Sequence, residues 1–400
     1  MVNKMFEEHG SVFSDIRELF QYGIERKKVI GEDKVFDFSI GNPSAPAPKS
    51  VNKTIIELVS GNSDLLVHGY STSLGFENVR INIANSLNEK YHAGVDPKYL
   101  CMTCGAAAAL AISFHALYEE GDEGIVISPF FAEYKVFAEA AGYKLRYVSS
   151  HKEDFLPKLD ELENSINEHT KFLIINSPNN PTGVFYKEKT IKDITRILKK
   201  KEEEFKHPIF LISDEPYREI VYDDLEYPFV TNYYDDSIVC YSFSKALSLP
   251  GERIGYVLVN PKCQYKDEVF NAVKGAARCL GYVCAPSLFQ NVVGRVVGDV
   301  SDISIYKENR DLLYKNLTRI GYEVVYPQGA FYMFVKALED DDKAFSNRAK
   351  EFELLLVPSN SFGIKGYVRL AYCVDKAMIE RSIPAFEKLY ASYEVKKWVN

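Results

Sequence analysis

Four hundred residues, 46% hydrophobic and 26% charged, are enough for two lobes around a large core and match an ordinary globular protein. A formal net charge of −8 weighs against nucleic acid or an anionic membrane as partner, so any cationic feature has to be local. The longest apolar run, GAAAALAISFHALY (105–118), is too short to span a bilayer, and the charged N-terminus has no secretory apolar core.

The first forty-odd residues predict a helix, then the stretch VFDFSIGNPSAPAP (35–48). There Pro43, Pro46 and Pro48 forbid regular helix and suit an extended crossing between lobes. From about residue 98, short apolar runs alternate with amphipathic ones. YLCMT (99–103), GIVIS (124–128), KLRYV (144–148), KFLIIN (171–176), PIFLIS (208–213), SIVCYSF (237–243) and IGYVLVN (254–260) predict strands. Helical spacing covers 105–118, 156–168 and 187–206. Near-continuous apolar strands alternating with helices predict an α/β fold with a doubly wound, mostly parallel seven-stranded sheet, because both faces of such a sheet are covered.

After about residue 285 the texture changes. One long helical stretch (287–320), strands EVVYP (323–327) and FYMFV (331–335), a second helix, YVRLAY (367–372) and a terminal helix from about 375 predict a smaller α+β domain. The expected division is 1–48 as a segment packing on the small domain, 49–285 as the large domain, and 286–400 as the small one. Residues 11–20 suit a lid.

Several polar clusters fall at the carboxyl ends of the strands, where doubly wound sheets collect ligands. Thr103-Cys104-Gly105-Ala106-Ala107 turns a strand into a helix and leaves backbone N–H groups uncovered, as a phosphate cradle requires. SPNNPTG (177–183) is a rigid loop that offers two amides, or a plain turn. Asp214, ending PIFLISD, faces a cation or caps the next segment. In YSFSKALSLPGERIGY, Lys245 lies among hydroxyls and small side chains with Arg253 eight residues on. Desolvation and a second cation both favour the free amine. Arg369, inside YVRLAY, pairs with a carboxylate of the protein or of a ligand. Seven cysteines, an odd number, suit reduced thiols in a cytoplasm. Cys101 and Cys104 read as a buried strand end, since no second pair or histidine tract completes a metal site.

In this order and spacing, Asn-Pro-Thr-Gly (180–183), Asp-x-x-Tyr (214–217), Ser-x-x-Lys (242–245) with Arg253, and the late Arg369 resemble the aspartate aminotransferase superfamily. These are pyridoxal 5′-phosphate (PLP) dependent aminotransferases of class I/II, fold type I. The resemblance implies that Lys245 forms the internal aldimine and moves a proton between Cα and C4′. It implies that Asp214 pairs with the pyridine nitrogen and that Tyr217 and Asn180 bond the phenolic oxygen. Gly105, Ala106, Ser242 and Arg253 would bind the phosphate, and Phe131 would stack on the ring. Arg369 would clamp the substrate α-carboxylate, with Asn180 and the Gly41 backbone helping. Tyr70, in YSTSLGFENVR (70–80), would reach the phosphate of a partner subunit in a homodimer.

The expected activity is ping-pong transfer of an amino group from an L-amino acid to a 2-oxo acid. The alternative is a carbon–sulfur β-lyase on the same scaffold. Two usual anchors for a side-chain carboxylate are replaced by Leu280 and Ala107, which argues against strict aspartate specificity unless Arg17 or Arg278 substitutes.

Overall fold

The computed structural model describes residues 2–11, 14–61 and 64–397. Its first strand, β1 (Phe36–Asp37), lies in the N-terminal crossing. The large sheet follows as β2 (Leu100–Thr103), β3 (Glu123–Ser128), β4 (Lys144–Ser149), β5 (Thr170–Asn176), β6 (Phe210–Asp214), β7 (Ser237–Ser242) and β8 (Gly255–Val259). Their spatial order is β2-β8-β7-β6-β5-β3-β4. β8 runs antiparallel to both its neighbours, and every other pair is parallel.

Alternate residues of each central strand feed different cores. Leu173 and Ile175 of β5 join Leu211 and Val239 on one face, beneath helix Glu188–Phe205. Phe172 and Ile174 join Phe210, Ile212 and Ile238 on the other, beneath helices Ala106–Leu117 and Lys266–Cys279. Burial on both faces is why these strands read as continuous apolar runs rather than alternating ones. β4 closes one edge and is largely exposed.

The C-terminal part builds a second sheet from β9 (Tyr332–Lys336), β11 (Val357–Pro358) and β12 (Tyr367–Ala371), antiparallel in the order β11-β12-β9. β1 pairs in parallel with β10 (Leu354–Leu355), and the Phe38 carbonyl accepts from the Ala371 N–H at 2.9 Å. Phe38 also packs on Phe386 of the terminal helix, at a ring-centroid distance of 5.8 Å. The crossing segment is thus bonded into the small sheet. Phe155 reaches over from the large sheet's side to meet Phe334 and Tyr367, joining the two cores.

Two elements differ from expectation. The stretch 287–320 is not one helix but two, Ser287–Arg295 and Ser304–Ile320. The break lets Ser301 donate twice to the Ala246 carbonyl, at 2.7 Å from its N–H and 3.0 Å from its hydroxyl, beside Lys245. The first helix packs on Lys49–Gly61 and Glu77–Tyr91, so it sides with the large sheet's helices rather than with the small lobe. EVVYP forms no strand beyond a single bridge, Val324 to Val335. Just after it, the N–H groups of Gln328 and Gly329 both bond the Gly183 carbonyl, which draws the chain off the sheet towards the Asn-Pro-Thr-Gly loop.

Candidate active site

Ser242 ends β7, and its hydroxyl accepts from the Ser244 N–H at 3.2 Å, capping the short helix Phe243–Ala246. That turn lifts Lys245 off the sheet. Its Nζ donates to the Gly41 carbonyl at 2.7 Å, with the Phe331 ring 5.3 Å away. Burial pushes the Lys245 pKa down to about 8; Cys373 opposes the fall, and Arg369 and Arg253 add to it. A free amine is therefore within reach near neutral pH, as the surrounding sequence predicts.

Asp214 ends the neighbouring β6. Its Oδ2 accepts from the Tyr134 hydroxyl at 2.5 Å, while Oδ1 is buried with no partner. Burial raises its pKa to about 7, with Tyr134 pulling downward and Glu215 upward. An unsatisfied carboxylate oxygen at a strand end is expensive unless a donor arrives. The Tyr217 hydroxyl meets that of Tyr332 at 3.0 Å, and Phe131 stands edge-on to Tyr134.

Asn176, at the end of β5, ties the loop in place. Its Oδ1 accepts from the Asn180 N–H at 2.8 Å, and its Nδ2 donates to the Asp214 carbonyl at 2.8 Å. Asn180 then presents Oδ1 to Arg369 Nη1 at 3.0 Å, while Arg369 Nη2 donates to the Ser39 carbonyl at 2.6 Å. Arg369 Nε is buried without a partner, and among the described residues no carboxylate lies within ion-pair distance of this guanidinium. Its faces are covered by Tyr332 and Phe362.

At the opposite end, Gly105 (φ +84°) opens helix Ala106–Leu117. A Cβ there would lie 2.9 Å from Arg253 Nη2, so a side chain would crowd the guanidinium at the helix N-terminus. Arg253 is exposed at the rim and anchored by Nη1 on the Pro250 carbonyl at 2.9 Å.

Gly41, Ala106, Phe131, Asn180, Asp214, Tyr217, Ser242, Lys245, Arg253 and Arg369 line one cavity of about 330 Å³. Gly105 sits one residue outside the lining. Tyr70 does not reach the cavity and is 95% exposed. Arg17 and Arg278 are likewise exposed and outside the lining, so within this chain neither replaces a missing carboxylate anchor. Of the lid candidate 11–20, residues 12 and 13 lie outside the described residues, and Ile16 lines the cavity. The reading of the sequence missed Asn176, Ser244 and Tyr332 in the lining and Tyr134 behind Asp214. Asn176 carried a usable signal, a polar residue closing a buried apolar strand as Asp214 does.

The family model for aminotransferase class I and II matches residues 33–386. The chain belongs to the class I and II aminotransferases. The aspartate aminotransferase of Thermotoga maritima is 30% identical over 363 residues, covering 90% of this chain and 91% of its own. A crystal structure of an amino transferase from Eubacterium rectale superposes with a TM-score of 0.96 at 54% identity, covering 98% of this chain and 99% of that one. A structure of the Thermotoga maritima aspartate aminotransferase gives 0.85 at 28%, covering 97% and 99%. This aminotransferase is therefore an enzyme of the fold type I class whose cofactor is PLP. The aminotransferase names of these relatives do not favour the β-lyase alternative.

Proposed function

We propose that the cavity is the active site of a ping-pong transamination between L-amino acids and 2-oxo acids, with Lys245 carrying the cofactor covalently at rest. One observation carries the reading. A lysine amine with a pKa near 8, a carboxylate oxygen lacking a donor and a guanidinium lacking an anion converge on one cavity.

The residues present fit PLP at both ends. Asp214 Oδ1 supplies the missing acceptor for a pyridinium N–H, whose charge would also return this carboxyl to its ionised form. Tyr217 and Asn180 would bond the phenolic oxygen. The helix N-terminus at Gly105 and Ala106, the hydroxyl of Ser242 and the guanidinium of Arg253 suit a phosphate, with the Ser244 hydroxyl beside them. Phe131 would cover the ring. When bound, PLP supplies an electron sink for the substrate carbanion.

The chain's own groups do the rest. Arg369 takes the substrate α-carboxylate through two parallel N–H bonds, with Asn180 and the Gly41 backbone fixing the pose. Lys245 Nζ would be the general base that takes the substrate's Cα proton and the group that holds and returns it. The same groups then run in reverse on the oxo acid. We infer a homodimer in which Tyr70 reaches a partner's phosphate, a reading its exposure supports. Seven free thiols support a cytoplasmic location. No helix among the described residues is long and apolar enough to cross a membrane.

Lys245→Ala tests the assignment. Transamination should fall by ~10³-fold or more while PLP still binds without covalent attachment, read by its absorbance and by dialysis. Unchanged turnover would sink the site.

A further inference from the structure

On the reading above, on which this inference rests, the Tyr217 hydroxyl bonds the phenolic oxygen of the cofactor. It can donate that bond only if its proton is not spent elsewhere. Its one partner among the described residues is the Tyr332 hydroxyl at 3.0 Å, and both tyrosines line the cavity. They are 5% and 3% exposed, so the contact is closed within one chain and needs no residue from a partner subunit. Two O–H groups share one bond there, which leaves one proton to offer the cavity.

The surroundings decide which phenol donates. The Arg369 guanidinium lies over the Tyr332 ring, 4.7 Å from its centroid. Burial raises the pKa of both phenols, but at Tyr332 the Arg369 cation is the main opposing influence and the value stops at about 12. Tyr217 is held well above the ordinary phenol value, with burial, Tyr332 and Asp214 all raising it. The more acidic phenol is the better donor, so Tyr332 gives its proton to the Tyr217 oxygen. Gly41 keeps this contact open. A Cβ there would fall 1.9 Å from the Tyr332 oxygen, and any side chain would push the phenol aside.

We propose that Tyr332 is a positioning residue for the reaction: by donating to the Tyr217 oxygen, it commits the Tyr217 proton to the phenolic oxygen of PLP and strengthens that bond. Hydrogen bonds in such a chain polarise one another. An O–H bond to the phenolic oxygen draws charge from it and loosens its hold on the proton of the nitrogen that joins PLP to Lys245. Tyr332 thereby lowers the pH at which that nitrogen loses its proton.

The test uses the PLP-loaded enzyme and Tyr332→Phe, which removes one oxygen and keeps the ring over Arg369. The cofactor absorbance is titrated with pH in the unaltered enzyme, in Tyr332→Phe, in Tyr217→Phe and in the double variant, and kcat and KM are measured beside it. In Tyr332→Phe the titration midpoint should rise by roughly half a unit. Its kcat should fall severalfold while KM for amino acid and oxo acid stays within about twofold. In the Tyr217→Phe background, loss of the Tyr332 hydroxyl should move the midpoint no further, because the oxygen it acts through is gone. An unmoved midpoint in Tyr332→Phe, or an equal shift in both backgrounds, would overturn the proposal. So would a KM raised for every substrate at a fixed midpoint, since Tyr332 would then contact the substrate itself. Failure of borohydride to fix PLP on Lys245 in the unaltered enzyme is a separate result. It overturns the reading of Lys245, and this inference with it.

Discussion

Arg369 and Arg218 are both deeply buried, at 2% and 4% exposure, yet their surroundings are opposite. Arg218 bonds Glu215 at 2.9 Å, Glu219 at 3.1 Å and the Tyr256 hydroxyl at 3.0 Å, and lies over the Tyr241 ring. Burial alone would lower its pKa, but Tyr256, Glu219, Tyr91 and Glu215 together hold it well above the ordinary value. Arg369 has a backbone carbonyl, an amide oxygen and two aromatic faces. Burial pushes its pKa down, against partial compensation by Tyr332, Tyr217 and Cys373. One guanidinium has its charge balanced inside the fold; the other meets only neutral acceptors among the described residues, as the proposed binding of a substrate carboxylate requires. Burial by itself thus does not separate a structural arginine from a binding one. The identity of its acceptors does.

The contrast predicts that the two residues break different things. Arg218→Ala strands Glu215, which is fully buried, and should cost about 3–5 kcal/mol of stability, seen in denaturant unfolding. Retained stability would mean that the acids are protonated or solvated in the fold. Arg369→Ala should instead lower kcat/KM about a hundredfold, or ~2.7 kcal/mol, for every amino acid and oxo acid alike, mainly through KM. A loss confined to one substrate would mean that Arg369 does not hold the common α-carboxylate. Arg369→Lys sharpens this. It keeps the charge but loses the fork, so roughly tenfold of the affinity should remain missing.

The smallest effect concerns Asp214 in the cofactor-free protein. Its folded pKa of about 7 lies above the ordinary 3.8, so the protonated form stabilises the fold. That contribution is full below about pH 4 and is lost as pH rises through 7. Asp214→Asn should therefore raise the Tm of the cofactor-free protein by ~2 °C at pH 8 and leave it unchanged at pH 4. An equal shift at both values would remove ionisation as the cause. PLP affinity in this variant should drop, because the amide is a poorer acceptor for a pyridinium.

The sequence by itself determined the strands of the large sheet and the residues at their ends. A strand buried on both faces has to be an apolar run, and a charged residue closing it, as Asp214 closes β6, stands out without any knowledge of the fold. Lys245, Ser242 and Arg253 were legible for the same reason, lying within a dozen residues of one another. Tertiary structure alone decided what these groups touch. Tyr134 reaches Asp214 across 80 positions, Tyr332 reaches Tyr217 across 115, and the Ser39 carbonyl meets Arg369 across 330. The break after Arg295 and the missing strand at 323–327 have the same origin. Helical spacing and β-branched residues set a local preference worth a fraction of a kcal/mol per residue. Hydrogen bonds from Ser301 to Ala246, and from Gln328 and Gly329 to Gly183, outweigh it with partners that no local pattern can name.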